Sequence, residues 1–139
     1  MFAPYRSPAS TYQQLGTETA VSGATPHRLI EMLFEGVDTY IARADEAMAR
    51  GDFATKGEAI TRAIRIVDEG LSAALELPTG ELAQNLRALY TFVSFQLLDA
   101  SRLNDRSKLA VARRTLAEIH AGWSAIGPDS SGPGAREAA

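Results

Sequence analysis

The sequence predicts an all-α fold: an antiparallel up-and-down four-helix bundle with an extended N-terminal arm and a disordered C-terminal tail. Three observations carry this. Apolar residues recur at the helical period through four successive stretches, helix stop and start residues stand between those stretches, and the intervening connections are very short. Short connections make consecutive helices antiparallel neighbours. No segment has the alternation that a strand would need.

Residues 1–23 mix Pro4, Pro8 and Gly16 with many hydroxyl side chains and show no sustained period, so they read as an arm. The bundle domain is expected over 24–126. Thr25 followed by Pro26 starts the first helix, because a hydroxyl cap precedes a proline whose missing N–H costs nothing in the first turn. That helix runs to about Arg50, with Leu29, Leu33, Val37, Tyr40 and Ala44 inward and Gly51 as its stop. Asp52 caps the second helix, which ends near Leu77 because Pro78 cannot continue it. Thr79 or Gly80 opens the third, which extends to about Leu103. Asp105 caps the fourth, whose seam is Leu109, Ala112, Leu116, Ile119, Trp123 and Ile126. Residues 127–139 dissolve into Gly, Pro and Ser and read as a disordered tail.

A length of 139 residues fits one domain, and 45% hydrophobic with 22% charged residues excludes a wholly disordered chain. Without cysteine there is neither a disulfide framework nor a thiolate metal site. No apolar run approaches the roughly 20 residues of a membrane helix, and Met1 to Ser10 lacks the pattern of a secretory signal. The expected location is therefore the cytoplasm, with no membrane insertion. A net charge of -3 argues against a nucleic-acid partner. A small helical regulator touching DNA through Arg106, Lys108, Arg113 and Arg114 is the residual form of that idea.

The second and third helices hold more apolar side chains than one inward stripe requires. Ile60, Ile64, Val67, Leu71 and Leu75 form one stripe, and Ala59, Ala63, Ile66, Ala73 and Leu77 widen the apolar arc to roughly 200°, against about 100° for an ordinary surface helix. In the third helix Leu82, Leu86, Leu89, Val93 and Leu97 make the inward stripe, while Phe92, Phe95 and Leu98 project away from it. Such a surplus in a domain of this size points to a protein partner docking across these two helices. A homo-oligomer, weakly self-associating through the same faces, is the structural alternative.

Nothing indicates an enzyme or a cofactor. Neither His27 nor His120 has a glutamate three positions before it, as a di-iron carboxylate bundle would need. His27 and Glu31, four apart in the first turns of a helix, suit a surface contact better than a metal ligand pair. His120 lies on the edge of the fourth seam, as a partly buried, hydrogen-bonded side chain would. No nucleophile elbow or phosphate loop is present.

Several motifs are in register with a known family. Tyr12-Gln13-Gln14, Glu18 to Val21, Pro26 to Gly36, Lys56 to Ile60, Ala63 to Val67, Gly80 to Leu86, Leu89-Tyr90, Asn104-Asp105 and Ala121-Gly122-Trp123 together resemble the flagellar export chaperone family FliS, from about Tyr12 to Ile126. The family often has Tyr and Met after the Leu-Tyr pair and two arginines in the next turn. Here Phe92, Val93, Ser94, Phe95 and Gln96 leave that helix less basic and more apolar.

The resemblance implies a cytoplasmic chaperone that binds the disordered C-terminal segment of flagellin, prevents premature polymerisation and assists delivery to the type III export apparatus, with the export gate as a further partner. The candidate contacts follow from that implication and the surplus faces. On the second helix they are Lys56, Ile60, Ala63, Ile64, Ile66, Val67 and Leu71. On the third they are Asn85, Leu89, Tyr90, Phe92 and Val93. Ala63, Ile66 and Phe92 are expected in the groove, while Ile60, Ile64, Val67 and Leu71 form a stripe that equally suits the core. Asn85 would bond either the backbone of a bound segment or its own fold, and Lys56 is expected to pair with a carboxylate. Tyr90 is expected mostly to pack. Tyr12 and Leu15 would anchor the arm over the empty groove.

Overall fold

A computed structural model of the chain describes residues 23–75 and 80–126. Four helices follow in order: α1 (Pro26–Ala49), α2 (Phe53–Arg65), α3 (Glu81–Leu103) and α4 (Arg106–Ile126). Successive helices pack together and α4 closes back on α1, giving the expected up-and-down bundle. No strand occurs among the described residues. Of the expected arm only Gly23 is described; the rest of it, and the tail, lie outside the described residues.

The helix signals act as read from the sequence. Thr25 accepts a hydrogen bond from the Arg28 N–H at 3.0 Å, with Pro26 in the first turn. Gly51 turns the chain at φ +74°, where a side chain would be strained, and Asp52 accepts from the Thr55 N–H at 3.1 Å. Asp105 does the same for Ser107, through its N–H at 2.9 Å and its hydroxyl at 2.6 Å. Asn104 stops α3 at φ 54°, one of the few side chains that tolerate the left-handed region.

Two elements differ from expectation. The helix that α2 begins is not α-helical as far as Leu77: it passes into a π-helical turn (Ile66–Leu71) and a 3-10 turn (Ala73–Leu75), while 76–79 lie outside the described residues. The Ser72 N–H reaches the Val67 carbonyl, five residues back, at 2.8 Å. This wider turn buries Ile66, Val67, Gly70 and Leu71 together. Second, the buried face of α1 is wider than the five residues expected inward. Met32, Leu33, Phe34, Val37, Ile41, Ala44, Ala47 and Met48 are all buried, because α1 is flanked by α2 on one side and α4 on the other. Leu29 and Tyr40, expected inward, are only half-buried.

The register of α1 against α4 is fixed by polar pairs at its rim. Arg113 forks onto Asp38 and Arg106 onto Asp45, the latter at 2.8 and 3.1 Å. Ser124 donates to Glu31 at 2.6 Å, and His27 meets Trp123 at the far end. Numbers rise along α1 as they fall along α4, which is the antiparallel relation in residue terms.

Candidate docking face

Helix α3 spans about 34 Å. Its buried side consists of Ala83, Tyr90, Val93, Leu97 and Ala100. Leu82, Leu89, Phe92, Phe95, Leu98 and Leu103 lie outside that set, each between 40% and 61% exposed. These six large side chains cover most of the outer circumference of one helix. Large exposed apolar side chains in this number on one helix make it the candidate interaction face. Leu82 and Leu89 were expected inward; the period places them at the edge of the buried arc, and the bundle leaves them outside it.

The adjoining rim of α2 is fixed by two contacts. Lys56 Nζ donates to the Ser101 carbonyl at 3.0 Å and to Asn104 Oδ1 at 3.4 Å, and the Ser94 hydroxyl donates to Asp68 at 2.7 Å. Along this rim Phe53 is 60% exposed, while Gly57 and Ile64 are half-buried. On α3, Leu98 lies between Ser94 and Ser101 on the edge that meets α2. Phe53 stands exposed at the start of α2, with the Lys56 ammonium 5.0 Å over its ring.

The structure sorts the candidate contacts into three groups. Ile60, Ala63, Ile66, Val67, Leu71, Tyr90 and Val93 lie in the core, each no more than 4% exposed. The expectation that Ala63 and Ile66 line an open groove is corrected: α1 and α3 both pack against this helix and its π turn, and the wide apolar arc is consumed between them. Tyr90 is packing, as expected, and burial raises its hydroxyl pKa well above the ordinary value. Asn85, Leu89 and Phe92 are exposed and remain on the face, with Ile64 half-buried at its edge. Lys56 pairs not with a carboxylate but with the C-terminal end of α3, where carbonyls and the helix dipole attract a cation. Tyr12 lies outside the described residues.

Sequence reasoning named Phe95 and Leu98 as projecting without counting them among the contacts, and left out Leu82, Leu103 and Phe53 as outward residues altogether. The signal for Leu82, Leu103 and Phe53 was present: each is a large apolar residue within a turn of a helix end, where the inward stripe runs out.

The histidines are structural. His27 is buried, stacked on Trp123 at 4.7 Å between ring centres, so it is not a surface contact of Glu31; His120 stacks on Phe34 at 4.9 Å. Among the described residues no cluster of His, Asp and Glu is arranged to hold a metal, and no helix is long and apolar enough to cross a membrane. Two of the four cations considered for DNA contact, Arg106 and Arg113, are engaged by Asp45 and Asp38, and those carboxylates raise both guanidinium pKa values.

A family model described as flagellar protein FliS matches residues 8–130. The chain is 40% identical over 121 residues to the flagellar secretion chaperone FliS of Salmonella typhimurium, covering 86% of this chain and 90% of that one. It is 41% identical over 116 residues to flagellar secretion chaperone FliSB of Pseudomonas aeruginosa, covering 83% and 91% respectively. With the Escherichia coli flagellar secretion chaperone FliS it shares 36% identity over 113 residues, 81% of this chain and 83% of that one. All three carry the name of a chaperone rather than of an enzyme. With the family's motifs matched along nearly the whole bundle, the chain belongs to the FliS family of flagellar proteins.

Proposed function

We propose that this protein is a cytoplasmic export chaperone that holds the disordered C-terminal segment of flagellin, keeps it from polymerising prematurely and assists its delivery to the flagellar type III export apparatus. The supporting observation is the outer face of α3, where six large apolar side chains lie outside the core in a member of a flagellar family. A disordered segment that gains helix on docking fits such a face, because its own apolar stripe finds the partner it lacks in solution. Coupled folding of this kind spends part of its interaction energy on ordering the guest. The complex can then be firm and still release its cargo at the export gate, a second partner in this reading. Masking itself requires no cofactor and no bond chemistry.

Titration calorimetry against full-length flagellin, and against flagellin lacking its C-terminal tail, tests the proposal. Binding is expected for the first alone. Equal heats for both would remove the tail as the ligand.

A further inference from the structure

Leu89, Phe92, Phe95 and Leu98 follow one another at intervals of three along α3, and all four are large, apolar and exposed. Side chains three apart on a helix are surface neighbours, about 5–6 Å between Cβ atoms, so the four form one oblique row over about 14 Å of helix. The rotation of α3 that puts them outside is pinned from within by Val93 and Leu97, both fully buried, and from the side by the Ser94 hydroxyl on Asp68. Leu82 and Leu103 are as exposed but stand off the row, one in the first turn of α3 and the other at its last residue.

The chemistry of the row decides in what form a guest can cover it. The stretch from Leu89 to Leu98 holds no charged residue. Its two aliphatic hydroxyls are already spent, Thr91 on the Arg87 carbonyl at 3.0 Å and Ser94 on Asp68, which leaves Gln96 as a half-buried amide beside four large apolar side chains. An extended segment laid there would turn backbone N–H and C=O groups toward α3 with almost nothing to pair them, whereas a helix brings those bonds already made within itself. Ridges three residues apart on one helix also fit between the four-apart ridges of a second, with the two axes about 20° from aligned.

We infer that Phe95 and Leu98 are specificity-determining residues of the docking face, because the cargo seats on this row as a helix running nearly along α3. Phe92 and Phe95 meet it at the centre, and Leu89 and Leu98 close its two sides. The inference rests on the proposed function for the identity of the cargo and adds what the docked segment must carry. It needs about three helical turns without an interior proline, with apolar residues in two rows four apart that straddle the ridge. A segment whose apolar residues alternate in the manner of a strand is rejected, since as a helix it scatters them around its circumference.

The test titrates full-length monomeric flagellin from the same cell with the unaltered chain and with four single variants, and melts each chain alone. Phe95→Ser and Leu98→Ser remove side chains 61% and 52% exposed on the row, while Leu82→Ser and Leu103→Ser remove side chains 60% and 51% exposed off it. All four should melt within a degree or two of the unaltered chain. Binding is expected to weaken about 10-fold or more in the first two, as when an apolar anchor of an interface is lost, and by less than about 3-fold in the other two. The complex should also show more helix by circular dichroism than its separated parts, and no gain would overturn the helical guest. If either row variant binds as well as the unaltered chain, or if the off-row pair loses as much as the row pair, the row is overturned while the chaperone reading stands. A row variant that melts several degrees lower contradicts the outward placement of the row, and the inference falls. If the unaltered chain itself does not bind flagellin, the reading beneath the inference fails with it.

Discussion

His27 and Trp123 hold each other twice: the His27 ring Nε2 donates to the Trp123 carbonyl at 2.9 Å, and the Trp123 indole N–H donates to the His27 carbonyl at 3.1 Å. Their rings stack at 4.7 Å with only 12° between planes. This clasp ties the first turn of α1 to the last turns of α4, the two ends of the bundle that are furthest apart in sequence. Trp123→Ala is therefore expected to lower stability by about 2 kcal/mol, through lost ring burial and two lost hydrogen bonds. Urea unfolding measures it; a change below a few tenths would show that the two helix ends are held by other contacts.

Ile66, expected on the sequence pattern to line a groove, is fully buried in the π turn. Ile66→Ala should cost about 2–5 kcal/mol of stability, the range for emptying such a site. Leu82→Ser, on the exposed face, should cost almost none. Parallel thermal melts of the two variants distinguish core from face, and equal losses would contradict the assignment.

Acid should loosen the α1–α4 seam. The Asp45 carboxyl is held below its usual range, first by its hydrogen bond from Arg106, and the Glu31 carboxyl likewise by Ser124. A carboxylate whose folded pKa is depressed contributes stability above its unfolded pKa and loses it as pH falls through the folded value. Stability should thus be level near neutrality and decline below roughly pH 4, with a shallower decline in Asp45→Asn. Melting temperature against pH checks this, and an unchanged slope in Asp45→Asn would refute the role of Asp45.

Lys56→Met keeps the length of the side chain and removes its charge from the end of α3. The Ser101 carbonyl and Asn104 then lose their donor. Stability should fall by about 1 kcal/mol, read from chemical denaturation, and hydrogen exchange should quicken in the last turn of α3. Unaltered exchange there would show that Lys56 does not hold that helix end.

The bundle was legible because its signals are local. Thr25, Gly51, Asp52 and Asp105 act within their own turns, and each performs in the structure the task its residue type suggests. The docking face was less legible, because periodicity measures how wide an apolar arc is without saying which neighbours cover it. On α2 the surplus was consumed by α1 and α3, so Ala63 and Ile66 disappeared into the core; on α3, Leu82 in the first turn and Leu89 at the edge of the buried arc stay exposed. Which neighbours cover a given side chain is not encoded in a single helix. The π turn was also invisible, since Ile66 to Leu71 reads as ordinary α-helix until the fold requires one more residue per turn.

The central claim is that the outer face of α3 carries the flagellin segment, and a variant combining Leu89→Ser and Phe92→Ser addresses it most directly. Both side chains are exposed, so the fold should melt within a degree or two of the unaltered chain. Calorimetry against full-length flagellin should show affinity reduced by 100-fold or more, as when two central apolar anchors are lost. Undiminished affinity in a correctly folded double variant would place the cargo elsewhere and contradict the account.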